Sequence, residues 1–196
     1  VRELQAGVWH WEASHPEWAP PADWDHEAVS AYAIDDGDRL LLFDPLALPG
    51  ELEERSAGGE AAIVLTSPWH VRDSLELAKR LGAPIYVPPP DRDPDPIGGT
   101  VFKAGDRLPV GVEVFPGRED PHDVVLWVES RRAVVAGDTL VDRGRGLEIL
   151  DEWLPEGATH EQVAKGLRPL LDLPVEVVLA THGGPADRAA LERALS

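Results

Sequence analysis

Residues 61–73 read Ala61-Ala62-Ile63-Val64-Leu65-Thr66-Ser67-Pro68-Trp69-His70-Val71-Arg72-Asp73, an unbroken apolar run that opens into a polar stretch carrying His, Arg and Asp. A short continuous apolar run is the pattern of a strand buried on both faces. Leu75, Leu77, Ala78 and Leu81 then recur at helical spacing, Gly82 supplies a stop, and Pro84-Ile85-Tyr86-Val87 opens another strand. Strand, helix and strand make a βαβ unit, right-handed by the twist of its strands. Three more apolar runs end in the same way. Residues 112–115 lead into Pro116-Gly117-Arg118, 133–136 into Gly137-Asp138-Thr139, and 175–180 into Thr181-His182-Gly183-Gly184. Ligands in layered α/β folds bind beyond the carboxyl ends of strands, so His70, Arg72, Asp73, Arg118, Asp138 and His182 are expected to converge on one pocket.

Upstream, Val8-Trp9-His10-Trp11-Glu12 alternates like a half-buried strand, and the rest of residues 1–28 reads as irregular cover. Residues 28–34 and 39–43 flank Asp35-Asp36-Gly37-Asp38, a turn composition that predicts a hairpin. Downstream, a strand is expected at 124–128 and helices at 159–171 and 186–195. Asp91, Asp93 and Asp95 are spaced like calcium ligands, but Pro96 and Phe102 stand where such a loop needs Gly and Glu, so 88–99 reads as a solvated loop. His10, His15, His26 and His160 have no motif around them and are read as surface or packing residues. Trp9, Trp11, Trp18 and Trp24 are read as core or loop anchors, with the walling of an apolar substrate pocket as the alternative.

The chain has 196 residues, 43% of them hydrophobic, which suits a single domain over 1–196. Its formal charge of −18 repels a nucleic acid or a membrane surface, and neither is expected as a partner. It lacks both an apolar run of about 18 residues and the basic start of an export signal, so a cytoplasmic location is expected. Cysteine is absent, so disulfides, thiolate metal sites and cysteine nucleophiles are excluded, and any metal must use His, Asp or Glu. No G-x-S-x-G elbow or phosphate-binding G-x-x-x-x-G-K-[ST] loop occurs.

In their order and intervals, Thr66 to Asp73, Pro116-Gly117, Ala136-Gly137-Asp138-Thr139-Leu140 and Ala180-Thr181-His182-Gly183-Gly184-Pro185 resemble the metallo-β-lactamase superfamily. The likeness spans roughly residues 28–186, and Leu41-Leu42-Phe43-Asp44 is similar to the family's opening hairpin. It implies an α/β fold, a four-layer αββα sandwich. It also implies a metal site built from T-H-x-H-x-D-H, a His after Pro-Gly, the Asp of Gly-Asp-Thr and a late His before Gly. Asp138 and His182 match that pattern. Aligned without a gap, the first motif's ligand positions fall on Ser67, Trp69, Val71 and Arg72. With one residue inserted, they fall on His70, Arg72 and Asp73, and the His after Pro-Gly is Arg118.

A guanidinium donates hydrogen bonds and cannot coordinate a cation. Arg72 and Arg118 are therefore expected to pair with Asp73 and Asp138, supplying the charge that metals supply in the family. Asp138 and His182 are the candidate catalytic residues, and His70, Arg72, Asp73, Arg118 and His122 the candidate pocket. The leading expectation is a protein without metal that binds a small, anionic molecule, a pseudoenzyme related to glyoxalase II-like hydrolases. One alternative is a hydrolase of esters, thioesters or lactones using a single zinc, manganese or iron ion on His70, Asp73, Asp138 and His182. The other is a structural or oligomeric partner with a vestigial pocket. Asp73 could equally cap the helix that follows it, and residues 139–160, with Arg143, Arg145, Glu148 and Trp153, are placed to cover the pocket.

Overall fold

The computed structural model describes residues 1–20, 27–57, 59–93, 95–118 and 120–196. Trp24 and His26 lie outside the described residues. Strands β1 (Arg2–Gln5), β2 (Val8–Ser14), β3 (Ala28–Asp35) and β4 (Arg39–Phe43) form an antiparallel run. The β3–β4 hairpin turns where composition places it: Gly37 takes φ +104°, and Asp36 Oδ1 accepts from Asp38 N at 2.9 Å and Arg39 N at 2.8 Å. Helix α1 (Gly50–Ala57) then carries the chain to β5 (Glu60–Val64), and α2 (Ser74–Leu81) to β6 (Ile85–Val87). Helical crossovers make these strands parallel, and β7 (Thr100–Val101) completes the sheet in sequence order.

The second sheet holds β8 (Val112–Pro116), β9 (Val124–Val128) and β10 (Ala133–Gly137). A small hairpin, β11 (Val141–Asp142) with β12 (Leu147–Glu148), and helix α3 (His160–Leu167) intervene before β13 (Val177–Ala180), β14 (Ala186–Asp187) and α4 (Arg188–Ala194). The order across this sheet is β14-β13-β10-β9-β8, with β13 parallel to β10. Along β9 the strand period divides the burial: Val124, Leu126 and Val128 meet the first sheet, while Val125 and Trp127 meet α3 and α4. Tyr32, Ile34, Leu41, Phe43 and Val64 face them from the first sheet, whose other side packs Trp9, Trp11, Leu42 and Ile63 on Leu52 and Leu77. Helix, sheet, sheet and helix are the four layers expected from the sequence.

Three local expectations change. The helix expected over 159–171 is α3 followed by a 3-10 stretch, Arg168–Asp172, because Pro169 has no N–H to continue an α-helical ladder. β1 and α1 were not anticipated; α1 is polar, with Leu52 as its fully buried anchor. Leu75 has the spacing of the buried face of α2 yet is 46% exposed, whereas Leu77 is 1% exposed. Truncating Leu77 to Ala should cost about 2–5 kcal/mol and Leu75 to Ala under about 0.5 kcal/mol, read as urea-denaturation midpoints on the same preparation.

Candidate functional site

The C-terminal ends of β4, β5, β8, β10 and β13 meet on one rim of the sandwich. Asp44, just past β4, is 2% exposed, and its carboxylate gathers donors from the ends of β5 and β13 and from the turn that follows β5. Oδ1 accepts from Thr66 N at 2.9 Å, and Oδ2 from the Thr66 hydroxyl at 2.6 Å and the Thr181 hydroxyl at 3.3 Å. Oδ2 also lies 3.1 Å from His70 Nδ1. His70 closes a single turn, Pro68–His70, and with Nδ1 held by Asp44 its Nε2 faces Asp138 Oδ1 at 3.2 Å. His182 Nε2 approaches the same oxygen at 3.4 Å.

These three ligand atoms lie within 4.8 Å of one another. Two imidazoles and one carboxylate are a donor set for one divalent ion with open positions, the count usual at catalytic sites. Asp138 Oδ1 is buried without a hydrogen bond of good geometry, while Oδ2 is held by Trp69 Nε1–H at 3.0 Å. The bond from His70 to Asp44 is the outer support that metal-bound imidazoles commonly have. The residues present therefore fit one ion.

Arg118 is built into this rim. Its Nε–H donates to Asp123 Oδ2 at 2.9 Å, which also accepts the Thr139 hydroxyl at 2.6 Å and the Arg118 backbone N–H at 3.4 Å. Gly117 permits that fold-back: a Cβ there would stand 2.5 Å from Asp123 O. Arg118 Nη1 reaches Trp153 O at 3.3 Å, and Nη2 stands 3.7 Å from Asp138 Oδ2. Arg72 turns elsewhere, donating from Nη1 to the carbonyls of Asp44 at 2.6 Å and Ser30 at 3.0 Å from a backbone at φ +40°. Of the two arginines expected to face Asp138, Arg118 therefore does so and Arg72 serves as a brace. Above them lies a cavity of about 540 Å³, walled by Trp69, Trp153, Val29 and His15, with Glu17 and Glu152 also on its lining.

His70, Arg72, Arg118, Asp138 and His182 thus share the pocket. Asp73 does not: its Oδ2 accepts Ala47 N–H at 2.7 Å on another face, so it neither pairs with Arg72 nor joins a metal set, and it makes no side-chain cap to α2. His122 is also withdrawn, its Nδ1 bonded to Pro89 O at 2.8 Å. Asp44, Asp123, Trp69 and the pocket place of His15 were not anticipated. Asp44 follows an apolar strand just as Asp138 does, and the same strand-end reading would have found it. Asp123 lies five residues beyond Arg118 with no motif of its own.

No protein-family model matches the sequence, and no curated protein does. Solved structures do. The metallo-β-lactamase from Hirschia baltica aligns at TM-score 0.67 and 16% identity over 99% of this chain and 94% of that one. That from Pontibacter korlensis aligns at 0.66 and 17% identity, over 100% and 96%. This chain is a metallo-β-lactamase-fold protein. TTHA1623, solved in a di-iron-bound form, is similar at TM-score 0.63 and 26% identity over 90% of this metallo-β-lactamase-fold chain and 98% of its own. None of the described helices is long and apolar enough to cross a membrane.

Burial works against charge on His70, but Asp138 and Asp44 outweigh it and hold the imidazolium up to about 9 from an ordinary 6.5. Burial likewise works against ionised Asp138 and Asp44, yet His70 keeps both carboxyls low. Burial pushes Asp123 up to about 6 despite Arg118. In chelator-treated protein, the His70 contribution is complete below pH 6.5 and lost as pH rises through about 9. It amounts to roughly 3 kcal/mol at about 1.4 kcal/mol per tenfold change in proton affinity. Those of Asp44 and Asp138 are present above the usual carboxylate range and lost in acid. Ionising Asp123 opposes them as pH rises from 3.8 to about 6. Unfolding midpoints should fall between pH 6.5 and 9, and His70→Gln, less stable overall, should lack that fall.

Proposed function

We propose that the pocket is the active site of a single-ion hydrolase acting on a small ester, thioester or lactone. The observation that carries this reading is the convergence of His70 Nε2, Asp138 Oδ1 and His182 Nε2 within 4.8 Å on the floor of a cavity. Such an ion would supply Lewis acidity toward a substrate carbonyl and a water of lowered pKa. The chain's own residues do the rest. Asp44 fixes the His70 ring so that Nδ1–H points inward and Nε2 faces the cluster. Trp69 holds Asp138 Oδ2 and leaves Oδ1 available. Arg118, fixed by Asp123, presents a positive edge that orients the bound molecule. Trp69 and Trp153 shelter the site from bulk water.

A second reading has its own support: a binding pocket for a small molecule in which cations of the chain stand in for metal. With His70 protonated, Arg72, Arg118 and His70 balance Asp44, Asp123 and Asp138 one for one. A cluster closed on itself in this way needs no ion to offset buried carboxylates.

Elemental analysis separates the two. Untagged protein incubated with zinc, manganese or iron(II) and desalted should retain one ion per chain. Asp138→Ala and His182→Ala should lose it together with any ester, thioester or lactone hydrolysis. Retention of no ion under any of these conditions overturns the hydrolase and leaves the metal-free binder.

A further inference from the structure

Arg118 is 9% exposed and faces the cavity. A guanidinium has five N–H donors. Nε–H is used by Asp123 and one Nη1–H by Trp153 O, while the 3.7 Å from Nη2 to Asp138 Oδ2 is too long for a hydrogen bond. Three donors remain, one on Nη1 and two on Nη2, and the Nη1–Nη2 edge is the part of the fork left to a ligand. We propose that this edge is a carboxylate subsite, and that the pocket selects a small organic acid with one carboxylate and a flat apolar body. The inference rests on the pocket being where small molecules bind, as in the proposed function, and requires no bound ion.

Three observations define the class. The fork is held rigid from behind: Asp123 is fully buried, takes Arg118 through both side chain and backbone, and is itself held by Thr139. Little freedom is then lost when an anion docks, and a planar fork matches a carboxylate in two-point contact. Next, the guanidinium carbon lies 5.7 Å from the Trp69 ring centre and 6.0 Å from that of Trp153. Trp69 is 39% exposed although its N–H is committed inward, so an apolar indole surface stands at the mouth for a flat group to cover. Finally, Asp138 Oδ2 stands 3.7 Å from Nη2 and Glu17 and Glu152 also line the cavity, so a second negative charge on the ligand is opposed.

The test titrates phenylacetate, its neutral amide phenylacetamide, and phenyl phosphate into the purified protein, followed by calorimetry and tryptophan fluorescence. Phenylacetate should bind at least about tenfold more tightly than the amide, as a charge-assisted pair implies, and phenyl phosphate more weakly than phenylacetate. Arg118→Lys, whose ammonium cannot hold Asp123 and a carboxylate in one plane, should abolish most of the preference. Asp123→Asn, which loosens the fork, should reduce it severalfold. Near-UV circular dichroism establishes that each variant is folded, and the wild-type comparison of acid with amide decides the matter if neither is. Equal binding of acid and amide overturns the subsite, as do tighter binding of phosphate, an unchanged preference in folded Arg118→Lys, or no phenylacetate binding up to about 10 mM. Ion content measured on the same samples keeps the readings apart. Acid preference without a retained ion sinks the hydrolase alone, and a retained ion without acid preference sinks the subsite alone.

Discussion

A carboxylate removed from water has to be answered by donors, and Asp44 collects its donors from strand ends that belong to both sheets. Thr66 N–H and hydroxyl arrive from the end of β5, the Thr181 hydroxyl from the end of β13, and the His70 imidazole from the turn after Thr66. Tyr32 adds a bond to Ala180 O at 2.7 Å, tying β3 to β13 beside this knot. The relative placement of His70 and His182 is consequently set by a buried group that does not itself line the pocket. Replacing Asp44 would release an imidazole tautomer, two hydroxyls and a backbone N–H together, so the pocket and the joint between the sheets stand or fall as one unit.

The charges follow from that geometry. Asp44 and Asp138 lie on opposite sides of one imidazole, and in a buried setting each makes protonation of His70 favourable. An ion on the same nitrogen would compete with that proton, so the ring is occupied by one cation or the other. Arg118 is placed differently. Its partner is Asp123, pushed upward by burial and by the nearby Asp138, and the pair is sealed by Gly117 and Thr139. The guanidinium is held by a dedicated carboxylate and leaves Asp138 Oδ1 to the two imidazoles. One rim thus sets two features side by side, the cluster of His70, Asp138 and His182 and the fixed positive edge of Arg118.

In the sequence, periodicity and motif were legible in different degrees. The apolar runs at 61–65, 112–115, 133–136 and 175–180 marked buried strands, the resemblance of the motifs at their ends to the metallo-β-lactamase superfamily implied the four layers, and the rule that strand ends face a ligand grouped His70, Arg118, Asp138 and His182. Asp73 misled because it shares that segment, yet the chain leaves the rim after the Pro68–His70 turn, and by Asp73 the side chain faces Ala47. His122 misled for a related reason: the turn between Arg118 and β9 sends Asp123 inward and His122 outward to Pro89. Such reversals are decided by turn geometry over a few residues, where no repeat exists to read. α1 escaped because seven of its eight positions carry no strong apolar signal, and Leu75 because helical spacing marks a face without saying how wide the covered stripe is.

Fold and site chemistry separate at Arg118. The likeness to metallo-β-lactamases extends over nearly the whole chain at low identity, which is what a shared arrangement of buried strands produces when surface and rim residues are free to differ. Arg118 is accepted at the rim by the buried Asp123 carboxylate, which approaches because the backbone at Gly117 carries no Cβ. Arg118, Asp123 and Gly117 are fitted to one another, with a contact of 2.5 Å awaiting any side chain at Gly117. Changing one of the three leaves a charge without a partner or a backbone without room, so the arginine is a built element of this pocket and the chemistry of its ligand has to accommodate it.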